Sequence, residues 1–308
     1  MIVVESSRVP WSIMLPETID AYRTCEFATL SKDGTPIAWP TSGLRTVDGG
    51  FLLTTSLGYP QKAFNVRRDD RVALLFSDPT ASGLDRPSQI LVRGTATCSE
   101  QIHTDPTGDL GRFWSMILAR QPGSQRYLDW PVTRLIDFYF MRLVIRVTPT
   151  EVTTSELPEP LAPETNGVIG SSVLSTYPTA VLAARAASGA PTLVRTTVAT
   201  TTDGYQVAPP ALGPDMTGPA SLLVHQHDER LSGLHNAVVL GSLDGDGLLR
   251  PSRLIEPAGR QGAGPAETLR TMRALRGTTK RYLDRRGLAR PTIPWAAYRA
   301  IRAELRSE

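Results

Sequence analysis

Short runs in which apolar and polar residues alternate, bounded by Gly, Pro and Asp, dominate the chain from Cys25 to Glu100. A period of two predicts strands with one buried face. Phe51-Leu52-Leu53-Thr54-Thr55, entered from the Asp48-Gly49-Gly50 turn, is the clearest of them. Four to five such strands at this spacing predict a small antiparallel barrel. Gln61 to Arg68, with Ala63, Phe64 and Val66, breaks the alternation and predicts a short helix on the mouth or rim of that barrel. Asp109 to Leu118 and Tyr127 to Phe140 read as helices separated by Gln121-Pro122-Gly123, and Leu143 to Val147 reads as a last strand.

The second half repeats the first. Phe27 to Ile37 (FATLSKDGTPI) aligns with Leu182 to Thr192 (LAARAASGAPT), so that Gly34-Thr35-Pro36 meets Gly189-Ala190-Pro191. Asp48-Gly49 then meets Asp203-Gly204, and Leu57-Gly58 meets Leu212-Gly213, at one constant spacing. Val72 to Phe76 meets Ala220 to Val224 after a loss of roughly seven residues, and Leu91 to Gly94 meets Val238 to Gly241. The lost stretch surrounds Lys62; Pro214 to Pro219 stands in its place.

The repeat divides the chain. The expected units are an N-terminal segment (1–20), a first barrel with a helical insertion (21–155), a Pro-rich linker (156–175), a degenerate second barrel (176–258) and a basic C-terminal pair of helices (259–308). Within the last unit, Pro257 to Pro265 is Gly-rich, and Ala266 to Arg286 predicts an amphipathic helix with Leu269, Met272, Leu275 and Leu283 on its apolar side. Trp295 to Leu305 predicts a second helix after the Pro291 to Pro294 break, both packing on a barrel. The expected class is mostly β with helices, α+β, as two barrels in tandem plus C-terminal helices.

Charge changes this picture little. Eleven Arg and Lys against four Asp and Glu fall between Ala266 and Glu308, so the basic excess belongs to the tail. Arg270, Arg273, Arg276, Lys280 and Arg281 lie opposite a regular apolar stripe, which reads as a packed helix with a solvated face rather than a nucleic-acid surface. No apolar run reaches the ~18 residues of a membrane span, and Met1 to Pro10 lacks a secretory pattern. The expectation is a soluble, cytoplasmic protein without a membrane partner. Cys25 and Cys98 have no metal-type spacing and read as buried thiols. Nucleotide-fold, P-loop, serine-hydrolase and zinc-protease signatures are absent from the sequence.

Candidate chemistry concentrates between Gly50 and Phe76. Thr54, Thr55 and Ser56 end a strand, Lys62 begins a helix, and Arg67 and Arg68 follow. Hydroxyls, a helix N-terminus and an ammonium together suit a phosphate dianion. The plainer reading of the same residues is a solvated rim helix.

This stretch resembles the flavin-binding strand and helix of the pyridoxamine-phosphate-oxidase-like split-barrel superfamily, which includes flavin and deazaflavin oxidoreductases. Ser88 to Ala96, with Gln89 near its start and Gly94-Thr95-Ala96 at its end, resembles that family's glutamine-led strand. The resemblance covers about Phe27 to Ser155 and extends weakly into the second half. It implies that Thr54, Thr55 and Ser56 meet the cofactor's ribityl chain and phosphate, and that Lys62 binds the phosphate. It also implies Gln89 beside the isoalloxazine ring, and Trp39, Pro40 and Thr41 on the strand alongside it. Asn65 and Arg67 are further candidates, with helix capping or solvent contact as the alternative. The chain departs from the family at Gln61, where arginine is common, and in one extra residue between Thr55 and Lys62. A C-terminal arginine-rich substrate motif is absent, which argues against vitamin B6 synthesis.

The resemblance implies FMN or the deazaflavin coenzyme F-420 as cofactor and hydride transfer between its ring and a small organic substrate, with no catalytic side chain assigned. It further implies a pseudo-dimer within one chain, open to further homodimer formation, with one cofactor held by the first barrel and walled by the second. Two other readings compete. His225-Gln226-His227 puts two imidazoles on one strand face, with His235 nearby, as possible haem ligands; a metal site there lacks a partnered Cys or carboxylate pattern. The other reading is a cofactor-free interaction module.

Overall fold

A computed structural model describes residues 16–208, 216–256 and 264–307. Leu212-Gly213, the first residues of the Pro214 to Pro219 replacement and most of the Gly-rich 257–265 stretch lie outside the described residues, as does most of the N-terminal segment.

The alternating runs of the first half form a seven-stranded antiparallel sheet from β1 (Cys25–Leu30), β2 (Pro36–Thr41), β3 (Leu44–Arg45), β4 (Phe51–Ser56), β5 (Arg71–Phe76), β6 (Ser88–Thr97) and β7 (Arg142–Glu156), in the order β2-β1-β5-β6-β7-β4-β3. The second half adds β8 (Ala180–Arg185), β9 (Pro191–Thr196), β10 (Val198–Thr200), β11 (Tyr205–Val207), β12 (Gly218–Gln226), β13 (His235–Leu243) and β14 (Leu248–Ile255), in the order β10-β11-β14-β13-β12-β8-β9. Counted from the first strand of each half, the two orders are the same.

The ladders keep the repeat residue by residue. Leu74 pairs with Phe27 and Val92, as Leu222 pairs with Leu182 and Val239. Even the irregularities match: the β6–β7 register shifts between Arg93 and Gly94, and the β13–β14 register between Leu240 and Gly241. At both bulges glycine lets another backbone close in, since a Cβ would stand 2.2 Å from Thr148 O at Gly94 and 2.3 Å from Arg250 O at Gly241.

Alternation sends one face of each strand into its own barrel and the other toward the second barrel. Phe27, Leu53, Leu74 and Val92 enter the first core, and Leu182, Leu222, Val239 and Leu249 enter the second. Ala28, Ala38, Ala73 and Leu75 meet Val181, Ala183, Leu193, Leu223 and Val238 in a third cluster, the seam between the barrels. Its small residues let the two sheets approach closely.

Helices α1 (Pro16–Ala21), α2 (Gln61–Arg68), α3 (Gly108–Arg120) and α4 (Val132–Phe140) accompany the first barrel, α5 (Ser171–Leu174) precedes the second, and α6 (Pro265–Asp284) and α7 (Trp295–Ser307) close the chain. Both C-terminal helices return to the first barrel: Met272, Leu275, Tyr282, Leu283, Trp295 and Tyr298 join its core. Leu269, expected on the packed side of α6, is instead exposed. The single helix expected from Tyr127 to Phe140 is divided into a 3-10 stretch, Pro122–Leu128, and α4. Pro131 separates them, because its ring crowds the preceding turn and it donates no backbone hydrogen bond.

Candidate functional site

Between the barrels lies a cleft of about 1040 Å³. Trp39, Pro40 and Thr41 reach it from β2, Thr54, Thr55 and Ser56 from the end of β4, and Lys62 and Asn65 from α2. The strand end is brought to the helix by a tight turn in which the Thr55 hydroxyl donates to Tyr59 O. Pro60 precedes the helix with no side-chain cap, so the first N–H groups of α2 have no capping partner. Barrel two contributes Asn236, Leu240, Arg253 and Ile255 to the opposite side.

The cleft is cationic. Lys32, Lys62, Arg142 and Arg253 line it against one carboxylate, Asp33, which already accepts from Ser31 and the Thr35 N–H. Among the described residues none of these four cations has a carboxylate within salt-bridge distance. Burial drives the Lys62 ammonium down to about 8, with Cys25 opposing and Arg142 adding to the shift. Arg142 is buried and lies over the rings of Tyr139 at 4.1 Å and Trp114 at 4.8 Å. A buried cation without a counter-charge is costly unless something supplies one.

Three buried polar atoms on the cleft residues have no hydrogen-bond partner: Thr54 Oγ1, Arg142 Nε and Asn236 Oδ1. Native interiors leave few such atoms unpaired. The orphan donors Thr54 Oγ1 and Arg142 Nε, beside the unpaired Lys62 ammonium, fit an anionic, hydrogen-bonding group of the phosphate kind, whereas Asn236 Oδ1 is an acceptor and calls for a donor. Asn65 differs: its amide donates to Thr29 Oγ1 at 2.9 Å and accepts from Gln61 at 2.8 Å and Arg68 at 3.0 Å, which ties α2 to β1.

Two residues expected at the site lie elsewhere. Arg67 turns to the far side of α2, donating to Cys98 O at 3.0 Å and to Ser99 O. Gln89 lies in the seam, where its amide donates to Glu156 O at 2.9 Å and Arg195 O at 3.2 Å and accepts the Arg195 N–H at 2.7 Å. The repeat explains Gln89. Symmetry between the barrels creates two related clefts, and rungs that are open in one are filled in the other. Ile37, Leu240 and Arg253 in the open cleft correspond to Thr192, Arg93 and Glu151. Arg93 bridges the other two, donating to Glu151 at 2.8 Å and to Thr192 Oγ1 at 3.1 Å.

The histidines also lie outside the open cleft. Arg195, at the rung of Pro40, donates to Ser77 at 2.8 Å and to Glu26 Oε1 at 2.9 Å. His225 Nε2 is 2.6 Å from the same carboxylate oxygen, and His227 Nε2 is 3.2 Å from Thr24 Oγ1 and 3.5 Å from Asp78. Burial pushes the Glu26 carboxyl up, but Arg195, His225 and Ser77 together outweigh it and hold it below the ordinary range. His235 stacks on Tyr177 with ring centroids 5.9 Å apart.

Asn236, Arg142 and Tyr139 were not reached from the sequence. Asn236 was accessible through the repeat, since Gln89 and Asn236 both stand three positions before the paired Val92 and Val239. Arg142 reaches the cleft because it pairs with Ser56 across β4 and β7, a register the sequence does not carry.

The two halves of the chain build the same antiparallel strand order, and the solved structures named below each match less than half of the chain. Among solved structures, a putative pyridoxamine 5'-phosphate oxidase from Listeria innocua is 15% identical over 44% of this chain and 91% of its own, with a TM-score of 0.30. An F420 reductase is 26% identical over 44% and 94%, with a TM-score of 0.31. HutZ, a haem storage protein from Vibrio cholerae, is 12% identical over 44% and 88%, with a TM-score of 0.30. No family model and no curated protein sequence matches the chain.

Proposed function

We propose that the protein is a flavin- or deazaflavin-dependent oxidoreductase with one cofactor site per chain, the cleft between β2, β4, α2 and the second barrel. The observation that carries this reading is the pair of cations without carboxylates, half-buried Lys62 and buried Arg142, beside the orphan hydroxyl of Thr54. Lys62, the Thr54 and Ser56 hydroxyls and the start of α2 would hold a phosphate. Trp39, Ile37, Leu240 and Ile255 would wall the remainder of the cofactor and keep water from it. When bound, the group supplies two-electron redox chemistry; the chain binds, orients and desolvates. Among the described residues, Arg93, Glu151 and Thr192 bridge the corresponding rungs of the related second cleft, which supports a single site.

Titrating the purified protein with FMN and with F-420 tests the reading. The expected result is saturation at one equivalent of one of them, lost or strongly weakened in Lys62→Ala. Binding of neither, or saturation at two equivalents, would overturn it. An intense Soret band from the isolated protein would instead favour haem.

A further inference from the structure

The second barrel places one half-buried amide in the open cleft. Asn236 lies on β13, paired with His225 of β12, and its Oδ1 is buried without a hydrogen-bond partner. The other groups that barrel two contributes are the apolar Leu240 and Ile255 and the exposed Arg253. The corresponding amide of the first barrel, Gln89, has both ends occupied by backbone of the seam. One amide of the duplicated pair has therefore become structural, while the other is left unpaired beside a cleft that holds Lys62 and Trp39.

A carboxamide is both donor and acceptor, and its best partner is a planar group that presents an acceptor next to a donor, such as a lactam or imide edge. An imide offers the N–H that an unpaired Oδ1 lacks. An unpaired carboxylate or a purely apolar ring would leave Asn236 Oδ1 unsatisfied or repel it. We infer that Asn236 recognises an imide or lactam edge of the ligand, so that the second barrel reads the ligand's ring while the first holds its phosphate. This rests on the cofactor reading above, and it makes Asn236 a positioning and specificity residue.

The test compares FMN and F-420 binding by the apo forms of the full chain, wild type and the variants Asn236→Leu and Asn236→Asp, following both affinity and the visible absorption band of the bound ligand. Asn236→Leu is expected to weaken binding about tenfold, the effect of one neutral hydrogen bond, and to shift the bound ligand's band. Asn236→Asp, nearly isosteric and therefore folded, should weaken binding at least as much, because its second oxygen opposes the ligand's carbonyl. Affinity within twofold of wild type and an unmoved band in both variants would overturn the inference. If those variants bind normally while Lys62→Ala does not, the cofactor reading stands without it. If the wild type binds neither compound, both fail.

Discussion

The Arg195 guanidinium crosses the seam to donate to Glu26 Oε1 at 2.9 Å, and the carboxylate it meets is wholly buried. Each charge is tolerated because of the other. Removing one partner strands the second in a low-dielectric seam, so Glu26→Gln and Arg195→Met are each expected to lose about 3–5 kcal/mol. The double variant Glu26→Gln with Arg195→Met should lose much less than the sum. Urea unfolding of the four proteins measures the coupling directly, and strictly additive losses would show that the pair is not a unit.

The same seam sets the response to acid. Burial raises the carboxyls of Glu26 and Asp78, but for Glu26 Arg195, His225 and Ser77, and for Asp78 His225, the Thr80 contact, His227 and Arg195, hold both below their ordinary values of 4.5 and 3.8. A carboxylate depressed by folding contributes stability that is present above its unfolded value and lost as pH falls through the folded one. The melting temperature should therefore show little loss from these groups down to about pH 5 and fall steeply at lower pH. Glu26→Gln, already destabilised, should show a shallower acid limb in thermal melts.

Lys62 has the opposite sign. Burial lowers it from 10.5 to about 8, so the folded chain disfavours its charged form, and the cost is fully present below about pH 8 and fades as pH rises toward 10.5. Without a bound anion, Lys62→Met is expected to be more stable than wild type at pH 7 by about 1–3 kcal/mol. Millimolar inorganic phosphate should raise the melting temperature of the wild type below pH 8 and leave Lys62→Met unmoved. Equal phosphate shifts in both would remove Lys62 from the anion site.

How far the sequence reached follows from which interactions are local. The strands of the first barrel and the helix from Gln61 to Arg68 depend on period and turn residues, and both were legible. The duplication was legible because turns fix spacing: Gly34 and Gly189 both take left-handed backbone, at φ of 80° and 78°. Lys62 beside Thr54 was legible because strand end and helix start adjoin in the chain. Gln89 shows the limit. Symmetry made two equivalent clefts, and which one stays open depends on contacts between barrels, Leu240 opposite Ile37 in one and Arg93 bonded to Thr192 in the other. The lost Lys62 stretch tells the two clefts apart, but no local pattern shows that Gln89 faces the one without it.

The paired bulges give a sharp test of the common design. At Gly94 a methyl group would stand 2.2 Å from Thr148 O, and at Gly241 2.3 Å from Arg250 O; in each case the obstacle is backbone, which a rotamer change cannot move. Gly94→Ala and Gly241→Ala are therefore each expected to lose more than about 2 kcal/mol, by forcing apart β6 and β7 or β13 and β14. Gly277, inside α6, has nothing within 4 Å of a new Cβ. There the same exchange removes only backbone freedom from the unfolded chain, so Gly277→Ala should gain about 0.5–1 kcal/mol. Thermal melts of the three single variants decide it. Losses at both bulges with a gain at Gly277 would show that the two barrels are closed by the same backbone device, whereas a harmless Gly241→Ala would mean that the second bulge is slack and the likeness between the barrels stops at strand order.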